Sequence, residues 1–335
     1  MNENTLGNLG RSRVNLRALR LLISVSLVFL QASSVDAQQS SSVQNPHKAA
    51  PDQRMKAGST APGYSPRDLH CSSFKWVSAE GISDKAAILV PISLNGKDYH
   101  YQLDTGADVT IPYGAGKNPD WTPQGNAVRI PRVSFGGMSF PAIRAYPKPD
   151  TEPNADVQGT VGLDILVGHT AILDFPNQRF CLIESANLPE DLRQRADWTP
   201  AETRHGKLFV EVEVNDHKLD QILYDTGSSS SALDVDLALW KDLTGKNGSS
   251  DATVHFRAPS WGKELEIIGA PASGQLKIGR QVFSHPLVTT FPAQPDSYST
   301  DYKAQGLLGN ALFQDDIIIL DLSAHPMFGM VSPPR

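Results

Sequence analysis

From residue 85 onward, short apolar runs alternate with turn residues, and the pattern is written twice. The first copy opens with Ile88-Leu89-Val90-Pro91-Ile92-Ser93-Leu94, turns at Asn95-Gly96 and resumes through Tyr99 and Tyr101 to Leu103-Asp104-Thr105-Gly106. The second opens with Leu208-Phe209-Val210-Glu211-Val212-Glu213-Val214, turns at Asn215-Asp216 and resumes through Leu219 and Ile222 to Tyr224-Asp225-Thr226-Gly227. Alternation around a two-residue Asn-Gly or Asn-Asp turn predicts a β-hairpin in each copy, its second strand running into Asp-Thr-Gly.

The correspondence continues downstream. Val133-Ser134-Phe135-Gly136-Gly137 is followed by Thr160-Val161-Gly162, and Leu276-Lys277-Ile278-Gly279-Arg280 by Leu307-Leu308-Gly309. Each copy closes on an apolar strand ending in an acid, Ile172-Leu173-Asp174 or Ile319-Leu320-Asp321, 12 residues after its glycine. From the first aspartate to that glycine the step is 58 residues in copy one and 84 in copy two, so the second copy carries 26 more residues in its middle. The pattern predicts an all-β chain of two lobes, residues 76–187 and 205–335. The polar stretch 188–204, with two prolines, is predicted as a short helix and an interlobe linker.

Ahead of the repeat, Arg11, Arg13, Arg17 and Arg20 precede the apolar decamer Leu21–Leu30, and Val35-Asp36-Ala37 offers a cleavage site. That order is the grammar of a signal peptide over residues 1–37. Ten helical residues span only ~15 Å of a ~30 Å hydrocarbon layer, which favours cleaved export over a membrane anchor. Residues 38–75 are rich in Ser, Gln, Pro and Ala through Asp68 and are predicted as a flexible leader, with a pro-segment as the other reading. Export would leave an acidic mature chain, the net charge falling from −6 to −8.

Composition narrows the chemistry. The 40% hydrophobic and 20% charged residues suit a globular protein, and no basic block outside the N-terminus supplies the footprint of a nucleic-acid binder. Two cysteines, Cys71 and Cys181, are too few for a four-thiolate zinc site. In an oxidising compartment they are expected to pair, closing a loop of about 110 residues, with two separate buried thiols as the alternative. The nine histidines form no His-Glu-x-x-His, and Ser228–Ser231 form no Gly-x-Ser-x-Gly, so neither a zinc peptidase nor a serine hydrolase has its residues. Asp164, Asp174 and Asp321 read as turn acids, and Asn247-Gly248-Ser249 is a glycosylation sequon.

One Asp-Thr-Gly would occur by chance in roughly one chain in ten of this length. Two, each closing an apolar strand and each followed by an apolar-Gly turn, point to a shared site. Two carboxyls about 3 Å apart cannot both ionise, so they share a proton and supply both an acid and a base. Glycine after Asp-Thr allows the close backbone approach such a pair needs.

The chain here resembles the aspartic protease superfamily of pepsin and the retropepsins, over about residues 86–331. Leu103-Asp104-Thr105-Gly106-Ala107-Asp108 is similar to the retroviral form and Asp225-Thr226-Gly227-Ser228-Ser229 to the pepsin form; small fused lobes make it look like a tandem retropepsin. The resemblance implies a bilobal acid-protease fold, with Asp104 and Asp225 as the catalytic pair and Thr105 and Thr226 interlocking their loops. Gly106 and Gly227 would support the pair, and Val161-Gly162 and Leu308-Gly309 would support the loops from below. It implies endopeptidase activity on a protein or peptide, without metal or cofactor, in a monomer. An exported peptide-binding protein that keeps the fold and is catalytically idle is the alternative.

Two finer expectations concern single residues. The Ser228 hydroxyl is expected to donate to the outer oxygen of Asp225, placing the negative charge of the pair mainly there and the proton on Asp104. Trp261 and Gly262 are expected at the tip of a substrate-covering hairpin built from residues 253–268, with packing of Trp261 on its own lobe as the alternative.

Overall fold

A computed structural model describes residues 69–79, 81–114, 118, 120–149, 151, 156–260 and 263–333, with the backbone alone for 258–260 and 263–264. The expected signal peptide, the expected leader up to Asp68 and both Trp261 and Gly262 lie outside the described residues. The fold is all-β and two-lobed.

Each copy begins with the predicted hairpin. Ser83–Leu94 pairs with Lys97–Leu103, and Lys207–Val214 with His217–Tyr224. Both turns place two consecutive residues at positive φ, Asn95 (53°) and Gly96 (81°) in one, Asn215 (50°) and Asp216 (65°) in the other. This handedness matches the twist of the strands, and Asn, Asp and Gly tolerate it.

The strand leading to each aspartate is then clasped by two short strands. Lys97–Leu103 runs parallel to Gly159–Val161, which pairs on its other side with Ile111–Pro112. His217–Tyr224 runs parallel to Gly306–Leu308, which pairs with Leu233–Val235. The chain leaves one strand, makes the Asp-Thr-Gly loop and returns across the sheet, so each loop is anchored at both ends. The extra residues of copy two include the helix Leu237–Thr244, stopped by Gly245 at φ 68°, and a long hairpin of Val254–Ser260 with Lys263–Pro271. Trp240 of that helix is fully buried and donates its indole N–H to the carbonyl of Val288.

A six-stranded antiparallel sheet joins the lobes, in the order Ser72–Ser73, Arg179–Ile183, Thr170–Asp174, Ile317–Asp321, Met327–Val331 and Asp197–Arg204. The two closing strands pair with each other, Ile172 opposite Ile319. The helix Glu190–Arg195 lays Leu192 on this sheet beside Ile172, Cys181, Ile183 and Ile319. Within 188–204 the chain thus forms a helix and then a strand shared between the interlobe sheet and the second lobe, where it pairs with Lys207–Val210. Cys71 and Cys181 form a disulfide, tying the start of the described chain to this sheet. Among the described residues no helix is long and apolar enough to cross a membrane.

Candidate active site

The two Asp-Thr-Gly loops meet at the lobe interface, and their threonines interlock. The Thr105 hydroxyl donates to the carbonyl of Tyr224 (2.8 Å) and accepts from the Thr226 N–H (3.0 Å). In return the Thr226 hydroxyl donates to the carbonyl of Leu103 (3.0 Å) and accepts from the Thr105 N–H (3.0 Å). Four buried hydrogen bonds thus fix one loop against the other.

Beneath the loops, the apolar-Gly elements hold the backbone. Asp104 N–H donates to the Val161 carbonyl and Asp225 N–H to that of Leu308, each at 3.0 Å. A Cβ on Gly162 would lie 2.4 Å from the Val109 backbone, and one on Gly309 2.1 Å from the Ser228 carbonyl oxygen. No other residue type fits so close an approach.

Asp104 and Asp225 are both fully buried, and their carboxyls hydrogen-bond one another. Each packs over the opposite loop's glycine: a Cβ on Gly106 would sit 2.5 Å from Asp225 Cγ, and one on Gly227 2.8 Å from Asp104 Cγ. Oδ1 of Asp104 accepts the Ala107 N–H (2.9 Å), and Oδ1 of Asp225 accepts the Gly227 N–H (2.7 Å). Oδ2 of Asp225 has no hydrogen-bond partner. Burial, followed by the adjacent Asp104 carboxyl, pushes the Asp225 carboxyl well above the usual carboxylate range.

Ser228, expected to donate to Asp225, is occupied elsewhere. Its hydroxyl and that of Ser231 hydrogen-bond the Asp234 carboxyl, which also accepts from the Thr289 hydroxyl. Asp234 is buried on the strand Leu233–Val235, and burial raises it to about 7 against the serines' opposing effect. The hairpin proposed to cover substrate is formed as Val254–Ser260 with Lys263–Pro271.

Several surrounding residues escaped the sequence reading. Asn310 follows the second supporting glycine and is fully buried. It accepts the Tyr224 hydroxyl (2.7 Å) and donates to the Thr226 carbonyl (3.1 Å) and Ser229 Oγ (2.8 Å). Lys207, 5% exposed, donates its ammonium to the Gly106 carbonyl. Both stand out as mismatches between the copies, where Leu163 and Ala87 occupy the matching positions. The three turn acids do structural work. Asp164 accepts from Thr110, Asp174 from Asn177, and Asp321 from Ser185 and Ser323.

The topology and the paired loops define a bilobal acid-protease fold. No family model and no curated protein sequence matches the chain. Among solved structures it is similar to an aspartic proteinase from Irpex lacteus, with TM-score 0.46 and 13% identity over 74% of this chain and 94% of that one. It is also similar to basic 7S globulin from soybean, with TM-score 0.45 and 9% identity over 78% of this chain and 96% of that one.

Proposed function

We propose that the chain is an aspartic-type endopeptidase whose catalytic residues are Asp104 and Asp225. The observation that carries this reading is a fully buried, hydrogen-bonded carboxyl pair contributed by both lobes. Removing two carboxyls from water favours one shared negative charge, which supplies a base and an acid at one point.

In the reaction, ionised Asp104 takes a proton from water as the water oxygen bonds to the scissile carbonyl carbon. Asp225 gives its proton to the carbonyl oxygen. The tetrahedral intermediate then collapses: its C–N bond breaks, the amine leaves with the proton held by Asp104, and Asp225 recovers a proton from the hydroxyl that becomes the new carbonyl. Atoms and charge balance without a cofactor. Thr105, Gly106, Thr226 and Gly227 position the pair. Ser228 supports the second loop through Asp234, and Trp261 and Gly262, which follow Ser260 in sequence, are assigned to covering substrate.

Both carboxyls are on one polypeptide, so a monomer suffices and activity per molecule stays constant on dilution. The disulfide supports export to the periplasm or the extracellular space. A second reading, a catalytically idle peptide binder, draws on one observation: solvent reaches neither carboxyl in this conformation. Incubating the purified chain with a mixed peptide library from acidic to neutral pH separates the two. The endopeptidase reading requires internal cleavage that Asp104→Asn and Asp225→Asn lower by about 10²–10⁴-fold. Peptide binding without cleavage at any pH would replace it with the second.

A further inference from the structure

Each carboxyl accepts a backbone N–H, from Ala107 on one side and Gly227 on the other, and among the described residues a buried cation, Lys207, lies at the first loop. Lys207 begins the strand Lys207–Val214, directly after His205 (φ 51°) and Gly206 (φ 71°). This turn of the second lobe is pressed on the first lobe's loop, since a Cβ on Gly206 would lie 2.5 Å from Asp108 Cβ. The lysine reaches past Asp108 to the Gly106 carbonyl.

Burial holds the Lys207 ammonium below its ordinary range, and three carboxylates oppose this, Asp108 most, then Asp104, then Asp225. Asp164 faces Asp108 from the segment after Gly162. On the lysine's own hairpin, Arg204 lies 4.0 Å from Glu202 and covers the Phe209 ring at 4.1 Å, and His205 occupies the turn. The matching residue of the first copy, Ala87, is buried and uncharged.

We infer that Lys207 is a positioning residue that holds the pair's negative charge on Asp104 and leaves the shared proton on Asp225. Its anchor, the Gly106 carbonyl, belongs to the loop that carries Asp104, and Coulomb attraction weakens with distance. The upward displacement of the Asp225 carboxyl agrees with the assignment. The inference rests on the proposed acid–base pair and says which member is the base.

The test is a pH titration of aspartate ¹³Cγ resonances in the purified chain, with the pair identified by the losses in Asp104→Asn and Asp225→Asn. In Lys207→Met the lower of the pair's two steps should move up by about 1 pH unit, and Lys207→Arg should restore it. Asp108→Asn, which leaves the cation to the pair and removes a like charge, should move the same step down. A folded Lys207→Met with the step unmoved overturns the inference, as does a wild-type titration in which Asp225 ionises first. If Lys207→Met does not fold, the order in which the wild-type pair ionises decides. The readout needs no turnover, so failure of the endopeptidase reading is seen separately.

Discussion

The two Asp-Thr-Gly loops share a backbone and differ in what lies beneath it. Under the first, Leu103 and Leu163 are buried and apolar. Under the second, Tyr224 and Asn310 take those places and join Thr226 and Ser229 in a buried hydrogen-bond network. Ile111 in the first lobe shares a register position with Asp234 in the second. The threonine interlock and the glycine packing are reciprocal, whereas the charges are not: a lysine serves the first loop and a second buried acid lies behind the other. Twofold repetition thus places two carboxyls face to face in unequal surroundings.

The reciprocal part is most sharply tested at the glycines. Gly106→Ala drives a carbon to 2.5 Å from Asp225 Cγ, and Gly227→Ala to 2.8 Å from Asp104 Cγ. Each should lower stability by about 1–3 kcal/mol. Displacing the pair by about 1 Å should lower kcat/KM at least ~10²-fold, more in Gly106→Ala. Wild-type kinetics in either variant would break the claim that each carboxyl packs on the opposite glycine.

The unequal part shows in stability against pH. Folded Asp234 holds its proton up to about pH 7, whereas an ordinary aspartate releases it near 3.8. The native state is therefore the more protonated between these values, and the stability this group contributes at low pH is lost as pH rises through 7. Asp234→Asn should match wild type near pH 4 and exceed it above pH 7 by at most about 4 kcal/mol, measured by denaturant unfolding. A constant difference across that range would remove Asp234 from the comparison. The smallest effect is expected from Tyr224→Phe, which leaves Asn310 Oδ1 without its donor and should cost about 1 kcal/mol with turnover retained.

Strict alternation and the Asn-Gly and Asn-Asp turns made the paired hairpins and the Asp loops legible in the sequence. The interlobe sheet was not, because Ile172 and Ile319 are apolar strand residues whose mutual pairing no local pattern encodes. Asp197–Arg204 was hidden for another reason: polar side chains and Pro200 disguise a strand whose partners lie far apart in sequence. At the site, residue types were readable and side-chain directions were not. A serine after Asp-Thr-Gly can turn to either neighbouring acid, and Ser228 turns to Asp234 because that buried carboxyl needs donors. Lys207 and Asn310 were visible only as polar residues where the other copy carries Ala87 and Leu163.

The central claim is that two loops from two lobes make one acid–base pair sharing a single proton. The pH dependence of kcat/KM on a cleaved peptide reports it directly, since its limbs follow the free enzyme's essential groups. The account predicts a two-limbed profile, falling at low pH as the pair gains a second proton and at high pH as it loses the shared one. A profile with a single limb, at a pH where the chain remains folded, would contradict it.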